Sequence, residues 1–579
     1  MRWVMAKQDL QAARVFQQDL AVSPLVARVL VARSFRDSVS ARKFLSPDLS
    51  HLHDPFLLAN MQEGARRLAQ AVAQKESILL YGDYDVDGTC SLVILKTVIG
   101  LCGGKAECFV PHRLKDGYGM KNEAVEEAAA RGVTLIVSVD TGIRAGAVVE
   151  HARGLGIDVI VTDHHLPEAE LPQAVAVINP NRHDCSYPEK HLCGAAVAWK
   201  LATALLAELQ WPAERRAKLL DSLMKLAAIA TVADVVPLTG ENRVIVKRGL
   251  EGLRQVNNAG LRALLDIANV VPGGIPSARQ IAFQVAPRLN AAGRMDSAQA
   301  VIDLFSAADA ASARVMAERL DLLNRDRRQE EERIQKSILE KVLEQPATPD
   351  DWSLVFAEEG WHRGVVGIVA SRVVERHHRP AFVISIENGV AQGSGRSIRA
   401  FHLLEALESM SDLFHKFGGH KYAAGLTMPA DRIDEFRRRL NAFAASKLTA
   451  DDLAPELELD AEVAFEEIHT ASVMELLELA PFGMENPLPI ILLRNVEITS
   501  PPEIRNDKHM FLRIGPPGRQ FRVKAWNFAE RAAEFATGAR LDFALQFEDD
   551  SHSASRGYAP WQAIVRDVRP AQQAPGVIK

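Results

Sequence analysis

The chain has 579 residues, 47% of them hydrophobic and 25% charged, and 68 basic against 74 acidic side chains leave a net charge of −6. That is the composition of an ordinary soluble globular protein, too long for one core, so three or four domains of roughly 100–200 residues each are expected. The near balance of charge excludes a uniformly basic nucleic-acid binder while leaving room for a local basic stripe, and no run reaches the roughly 18 uncharged apolar residues of a membrane span.

The first residues, MRWVMAKQDLQAARVF, lack the apolar stretch of a signal peptide. Together with five cysteines in so long a chain, this predicts a reducing, cytoplasmic setting. His183, Cys185, His191 and Cys193 crowd together in HDCSYPEKHLC. Zinc sites use tighter pairs, so incidental cysteines are the better reading than a zinc knuckle.

Residues 1–75 carry apolar side chains at helical spacing. From ESILLYGDYD onward the pattern changes. AECFVP, TLIVSVD, DVIVTDHH and AVAVINP are short continuous apolar runs, most ending in polar clusters, with helical segments such as SLVILKTVIG and AVEEAAARG between them. Such alternation predicts a parallel sheet covered on both faces. Ligands of these sheets bind beyond the carboxyl ends of the strands. Residues 195–270 read as helices interrupted by ATVADVVPLTGENR, and 308–344 as one long charged helix, on the order of 50 Å and a solvated strut between domains. After QPATPDD comes a second α/β unit: strand WSLVFAEE, a helix over about 365–375, strand AFVISI and the glycine-rich VAQGSGRSIRAF. Past about residue 454, PIILLRNVEITS, HMFLRIG, RQFRVKAWNF and LDFALQFED predict a small β-barrel.

The chemistry concentrates at three predicted strand ends. Asp83, Asp85 and Asp87 follow ILLY, Asp140 follows LIVSV, and Asp163, His164 and His165 follow VIVT. Like charges this close repel and resist burial. Divalent cations such as Mg²⁺ or Mn²⁺ relieve that cost, imidazole can share the coordination of Mn²⁺, and two ions together suit phosphoryl displacement. Candidate ligands are Asp85, Asp87, Asp140, His164, His165 and Asp234, with Asp83 less secure. A calcium loop is the competing reading of DxDxDG, but its twelfth position is Ile94 where a glutamate is required. Asp163 and Asp140 each also fit an ordinary turn, and the histidine pair a surface cluster; three such clusters on one sheet edge argue against coincidence.

GDYDVDG, SVDTG, TDHH and ATVADVVPL, in this order, resemble the four acidic motifs of the DHH phosphoesterase superfamily. APRLNAAGRM, GSGRS and FGGHKYAAGL resemble the later motifs of its bacterial single-strand-specific 5′→3′ DNA exonucleases, and the likeness covers nearly the whole chain. It implies an α/β fold: an N-terminal helical segment at 1–45, a parallel-sheet DHH domain at 46–305, a long connecting helix at 306–346, a smaller DHHA1-type α/β domain at 347–453 and an OB-type barrel at 454–579. It also implies two ions, Mn²⁺ or Mg²⁺, held by Asp85, Asp87, Asp140, His164 and Asp234. His165 would sit by the phosphate, with Asp163 orienting a histidine. Asp83 stands where some members carry a histidine.

The same resemblance implies that Arg113, Ser394 and Arg396 read a terminal 5′-phosphate, against a plain glycine turn with a solvated arginine. Gly418, Gly419, His420 and Lys421 would contact substrate phosphates, against a tight helix-start turn. Arg288, Asn290 and Arg294 would contact backbone phosphates, against structural capping. In the barrel, Arg505, Lys508, Arg513, Arg519, Arg522 and Lys524 interleave with Phe511, Phe521 and Trp526. This suits single-stranded nucleic acid, with Arg513, Arg519, Arg522, Lys524 and Phe511 as the face; the alternative is a strand with aromatics inward and charges outward. The expected activity is metal-dependent exonuclease action on single-stranded DNA, giving 5′-mononucleotides in repair and recombination. Expected partners are single-strand-binding protein and a RecQ-type helicase, with no membrane and a monomeric chain. Two other readings stand behind it: a phosphoesterase for short oligonucleotides, cyclic dinucleotides or pyrophosphate, and a non-catalytic single-strand clamp.

Overall fold

The structure is a computed structural model that describes residues 1–113, 115–117, 119–270, 274–344, 348, 350–550 and 558–571. The expected boundary at 346–347 and the chain's last eight residues lie outside them. The chain divides into two compact units. One contains residues 53–236 and 248–455, the other 1–52, 237–247 and 456–579.

The larger unit begins with five parallel strands in the spatial order Lys105–Phe109, Ser77–Tyr81, Leu135–Val139, Asp158–Thr162, Ala176–Ile178. Ile78, Leu79, Leu80 and the whole of Leu135–Val139 are buried, which is why these segments are continuously apolar. The chain leaves Ser77–Tyr81 for one edge and returns to its other side at Leu135–Val139. The strand order therefore reverses between these two neighbours, and the crevice at such a point is where open α/β sheets take ligands. The helices Val86–Leu101, Gly194–Glu208 and Ala213–Ala233 pack against one another beside the sheet. Ala213–Ala233 runs unbroken through the ATVA expected to interrupt it, ending at Asp234.

A second sheet has the order Lys416–Gly419, Ala423–Pro429, Val390–Arg396, Ala381–Glu387, Leu354–Glu359, parallel only between the last two. GSGRS therefore lies in a strand rather than a turn, and GGHKYAAGL forms a hairpin rather than a helix start. The long helix is Ala310–Glu344. It is no free strut: Ala313, Ala317 and Leu320 are buried, and Ile334 and Ile338 join a core with Trp361, Val366 and Val369. Its buried residues recur at three- and four-residue spacing and include Asp321, Asn324 and Arg327, so one side of the helix packs and the other meets water.

In the smaller unit, seven strands follow the order Ala461–Glu462, Ile490–Glu497, Arg540–Asp549, Trp561–Pro570, Phe521–Ala525, His509–Ile514, Glu503–Arg505. Ile498 bridges Ile514, drawing the sheet toward closure. The N-terminal helices share this core through Phe16, Leu25, Leu30 and Phe44. Residues 1–75 are not all helical, because Arg2–Met5 pairs as a parallel strand with Glu456–Leu459. Residues 237–247 also belong here, and their Arg243 lies 3.8 Å over the Phe44 ring and donates to the Phe44 and Ala480 carbonyls. Among the described residues no helix is long and apolar enough to cross a membrane.

Candidate metal centre and substrate cleft

Asp85 starts the helix Val86–Leu101, its Oδ1 accepting from the amides of Asp87 and Gly88 at 2.9 and 3.1 Å. The turn after Leu135–Val139 holds Asp140 at φ 57°, a left-handed conformation that non-glycine residues seldom adopt. Asp234 caps the end of Ala213–Ala233. Asp87 is fixed from the opposite side, its oxygens taking the amides of Gly194 and Ala195 at 2.6 and 2.7 Å from the start of helix Gly194–Glu208. Position 194 must be glycine because a Cβ there would lie 2.7 Å from Asp140 Cβ.

These elements bring the acidic residues onto His164. Its Nε2 lies 3.1 Å from Asp140 Oδ1, 3.6 Å from Asp87 Oδ2 and 3.7 Å from Asp234 Oδ2. Among the described residues, three sets of ligand atoms close to within 4.8 Å: Asp87, His164 and Asp234; Asp83, Asp85 and Asp140; and Asp140, His164 and His165. Asp83, the least secure candidate in the sequence, is thus beside the others. Burial first, then the surrounding carboxylates, pushes Asp83, Asp140 and Asp234 well above the ordinary aspartate range; burial also raises Asp87. Burial lowers His164, which favours the neutral imidazole that binds metals. His164 Nε2 and Asp83 Oδ1 are buried without a hydrogen-bond partner. Hard oxygens, an imidazole and buried donors that the protein leaves unsatisfied fit Mn²⁺ or Mg²⁺.

Asp163 is a support and stands outside these three sets. Its Oδ1 accepts from the amides of His164 and His165 and from His165 Nδ1, the last at 2.7 Å, and its Oδ2 from the Ile143 amide. Burial would raise this carboxyl, but the His165 hydrogen bond and charge hold it below its ordinary value. His165 is raised in return, against burial, by the same bond. Asn179 and Asn181, which the sequence reading did not single out, fix the loop by donating to the His165 and His164 carbonyls at 2.9 and 2.6 Å. The available signal was their position directly after the strand Ala176–Ile178.

A cleft of about 890 Å³ lies between the two sheets of the larger unit, lined by Tyr84, Arg113 and His165 on one side and Ser394, Gly419 and His420 on the other. Arg396 Nη1 donates to Ser394 Oγ at 3.0 Å. Burial and then Arg113 lower Arg396; burial followed by Arg113, Arg327 and Arg396 pulls Arg294 down to about 9. Arg294 and Arg396 thus lie in a field of like charge, which marks a place prepared for an anion. Burial, Arg144 and His165 lower His420. Arg294 and Asn290 line a second cavity of about 730 Å³ with Arg327, Arg328 and Arg372. Asn290 is also a capping group, accepting from the Val86 amide at 3.1 Å. Arg288 does not join the cleft. It is committed to Asp321 at 2.9 Å and to the Gln284 carbonyl, a structural role.

In the smaller unit, Phe511 pairs with Lys524 and Arg513 with Arg522, so all four share the outward face of the two strands. Phe511 is 8% exposed, covered by the Arg505 and Arg522 guanidiniums at 4.9 and 4.5 Å. Phe521 faces the core and stacks on Phe465, while Trp526 is 44% exposed. Arg522 pairs with Glu503 and Lys524 donates to Gln562. Arg513 and Arg519 are exposed, with no ion-pair partner among the described residues.

A reversing parallel sheet with carboxylates and imidazole at its switch point, facing an arginine-lined cleft, is the architecture of a metal-dependent phosphoesterase. The DHH family N-terminal domain matches residues 77–231, the DHHA1 domain 351–446 and the RecJ OB domain 459–560. Single-stranded-DNA-specific exonuclease RecJ of Bacillus subtilis is 39% identical over 546 residues, covering 93% of this chain and 68% of the relative. The RecJ of Dickeya dadantii is 40% identical over 459 residues, 77% of this chain and 80% of that one. A crystal structure of RecJ from Thermus thermophilus in complex with Mn²⁺ superposes with a TM-score of 0.83 at 30% identity, covering all of this chain and 81% of that one. The chain belongs to the RecJ family of single-stranded-DNA-specific exonucleases.

Proposed function

We propose that the chain hydrolyses single-stranded DNA from the 5′ end, releasing 5′-mononucleotides, with Mn²⁺ or Mg²⁺ at the acidic centre. The observation that carries this reading is the pairing of two opposite fields: an acidic cluster with a neutral imidazole, and beside it a cleft presenting Arg113 and Ser394, with Arg396 bonded to Ser394. A phosphodiester strand ending in a 5′-phosphate satisfies both.

Asp87, His164 and Asp234 would hold one ion, and Asp83, Asp85 and Asp140 a second. Bound there, the ions supply Lewis-acid charge to the scissile phosphate and lower the pKa of an attacking water. Asp163 would orient His165 through Nδ1, and the protonated form that this bond favours would offset charge developing on the phosphate. Arg113, Ser394 and Arg396 fix the 5′ end and so set the register of each cut. Gly419 and His420 cover the opposite wall of the cleft. Arg513, Arg519 and Arg522 on the OB face would bind the phosphates of a single strand. A small-substrate phosphoesterase has no use for such a face, and a non-catalytic clamp none for an intact acidic centre.

Family membership supports two working partners, a single-strand-binding protein and a RecQ-type helicase. Five free cysteines, three of them buried, suit the reducing cytoplasm. The test is a long single strand labelled at its 5′ end, incubated with and without Mn²⁺. Metal-dependent release of labelled mononucleotide, lost in Asp140→Ala, is expected. Cleavage confined to very short substrates, or binding without cleavage, would contradict it.

A further inference from the structure

Tyr84 stands between Asp83 and Asp85, and nothing in the metal chemistry above uses its ring. The side chain lines the cleft, and the guanidinium of Arg113 lies over its face, 4.9 Å from the centroid. Arg113 comes from the loop after Lys105–Phe109, a different strand end. It is drawn by the charge of Asp83 and opposed by Arg294 and Arg396. An aromatic face holds a guanidinium without consuming its N–H donors, so all of them stay directed at a phosphate. The Tyr84 backbone is equally constrained: a Cβ at Gly293, one residue before Arg294, would lie 2.4 Å from the Tyr84 carbonyl oxygen.

We infer that Tyr84 is a positioning residue that couples the two halves of the reaction: its backbone carries the acidic residues on either side, and its ring holds Arg113 in place for the terminal 5′-phosphate. This deepens the exonuclease reading and rests on it. A structural role in the loop alone would disturb the metal centre and every substrate alike. A role through Arg113 disturbs only the discrimination of the strand's end.

The experiment compares two single strands of one sequence, one ending in a 5′-phosphate and one in a 5′-hydroxyl, as substrates of the full chain with Mn²⁺. Tyr84→Leu, which removes the aromatic face, is expected to reduce the preference for the phosphorylated end by about tenfold, chiefly through KM. The Mn²⁺ titration midpoint should stay in place. Tyr84→Phe, which keeps the face, should retain the preference, and Tyr84→Leu combined with Arg113→Ala should be no worse in preference than Arg113→Ala alone. Equal losses on both ends with a displaced Mn²⁺ midpoint would overturn the inference. So would a phenylalanine variant as defective as the leucine one, or additive losses in the double variant. A parent chain that leaves both strands uncut, or cuts them equally, would overturn the function or the 5′-phosphate reading itself, and the inference with it.

Discussion

Asp163 binds four donors at once, all placed by the protein itself. On the proposed mechanism it holds His165 in one orientation and favours its protonated form, so Asp163→Asn should reduce kcat by about 10–100-fold while leaving KM for DNA near its parent value; an unchanged kcat would show that His165 needs no such support. The other aspartates behave oppositely. Burial and mutual repulsion raise Asp83, Asp87, Asp140 and Asp234, so these four carboxyls bind more protons in the metal-free folded chain than in the unfolded one. The stability these groups contribute is present at low pH and falls as pH rises from the ordinary carboxylate range through their raised values. Divalent ions remove the penalty by replacing the protons. Differential scanning calorimetry should therefore show a larger Mn²⁺-induced rise in Tm at about pH 8 than at about pH 5.5.

Each element near the centre serves two purposes. Helix Ala286–Met295 supplies Asn290 to cap the helix bearing Asp87 and Arg294 to the guanidinium group, while its Arg288 anchors it to the long helix through Asp321. That ion pair is nearly buried, with the two side chains 12% and 10% exposed. Asp321→Ala would strand the Arg288 charge and should cost about 3–5 kcal/mol, read as a lowered denaturation midpoint. The parallel strands were legible in the sequence because strands buried on both faces read as unbroken apolar runs, and ILLY, LIVSV and VIVT do so without competition. Asp85, Asp87, Asp140, His164 and Asp234 could be read from their motifs, since each follows a strand or ends a helix. The packed side of Ala310–Glu344 could not, because its apolar residues are sparse among charges and gain meaning only from the helices they meet. The pairing of Arg288 was hidden for a similar reason: its partner is 33 residues away in the chain.

At the scale of the molecule, the chain leaves the unit that does the chemistry at residue 237 and returns at 248. No local pattern announces this regrouping, or the pairing of Arg2–Met5 with Glu456–Leu459, because both depend on contacts across hundreds of residues. On the proposed reading, the OB face acts through charge. Replacing Arg513, Arg519 and Arg522 together by alanine should weaken binding to single strands of any sequence and flatten the slope of log K against log salt by about 2, some 0.7 per lost phosphate contact; an unchanged slope would remove these residues from the DNA path. All of this presupposes cations where the acidic side chains converge. The direct measurement is anomalous diffraction at the manganese edge from crystals grown with Mn²⁺: the account predicts strong peaks touching Asp140, His164, Asp87 and Asp234, whereas crystals of the active protein with no peak at these side chains would contradict it.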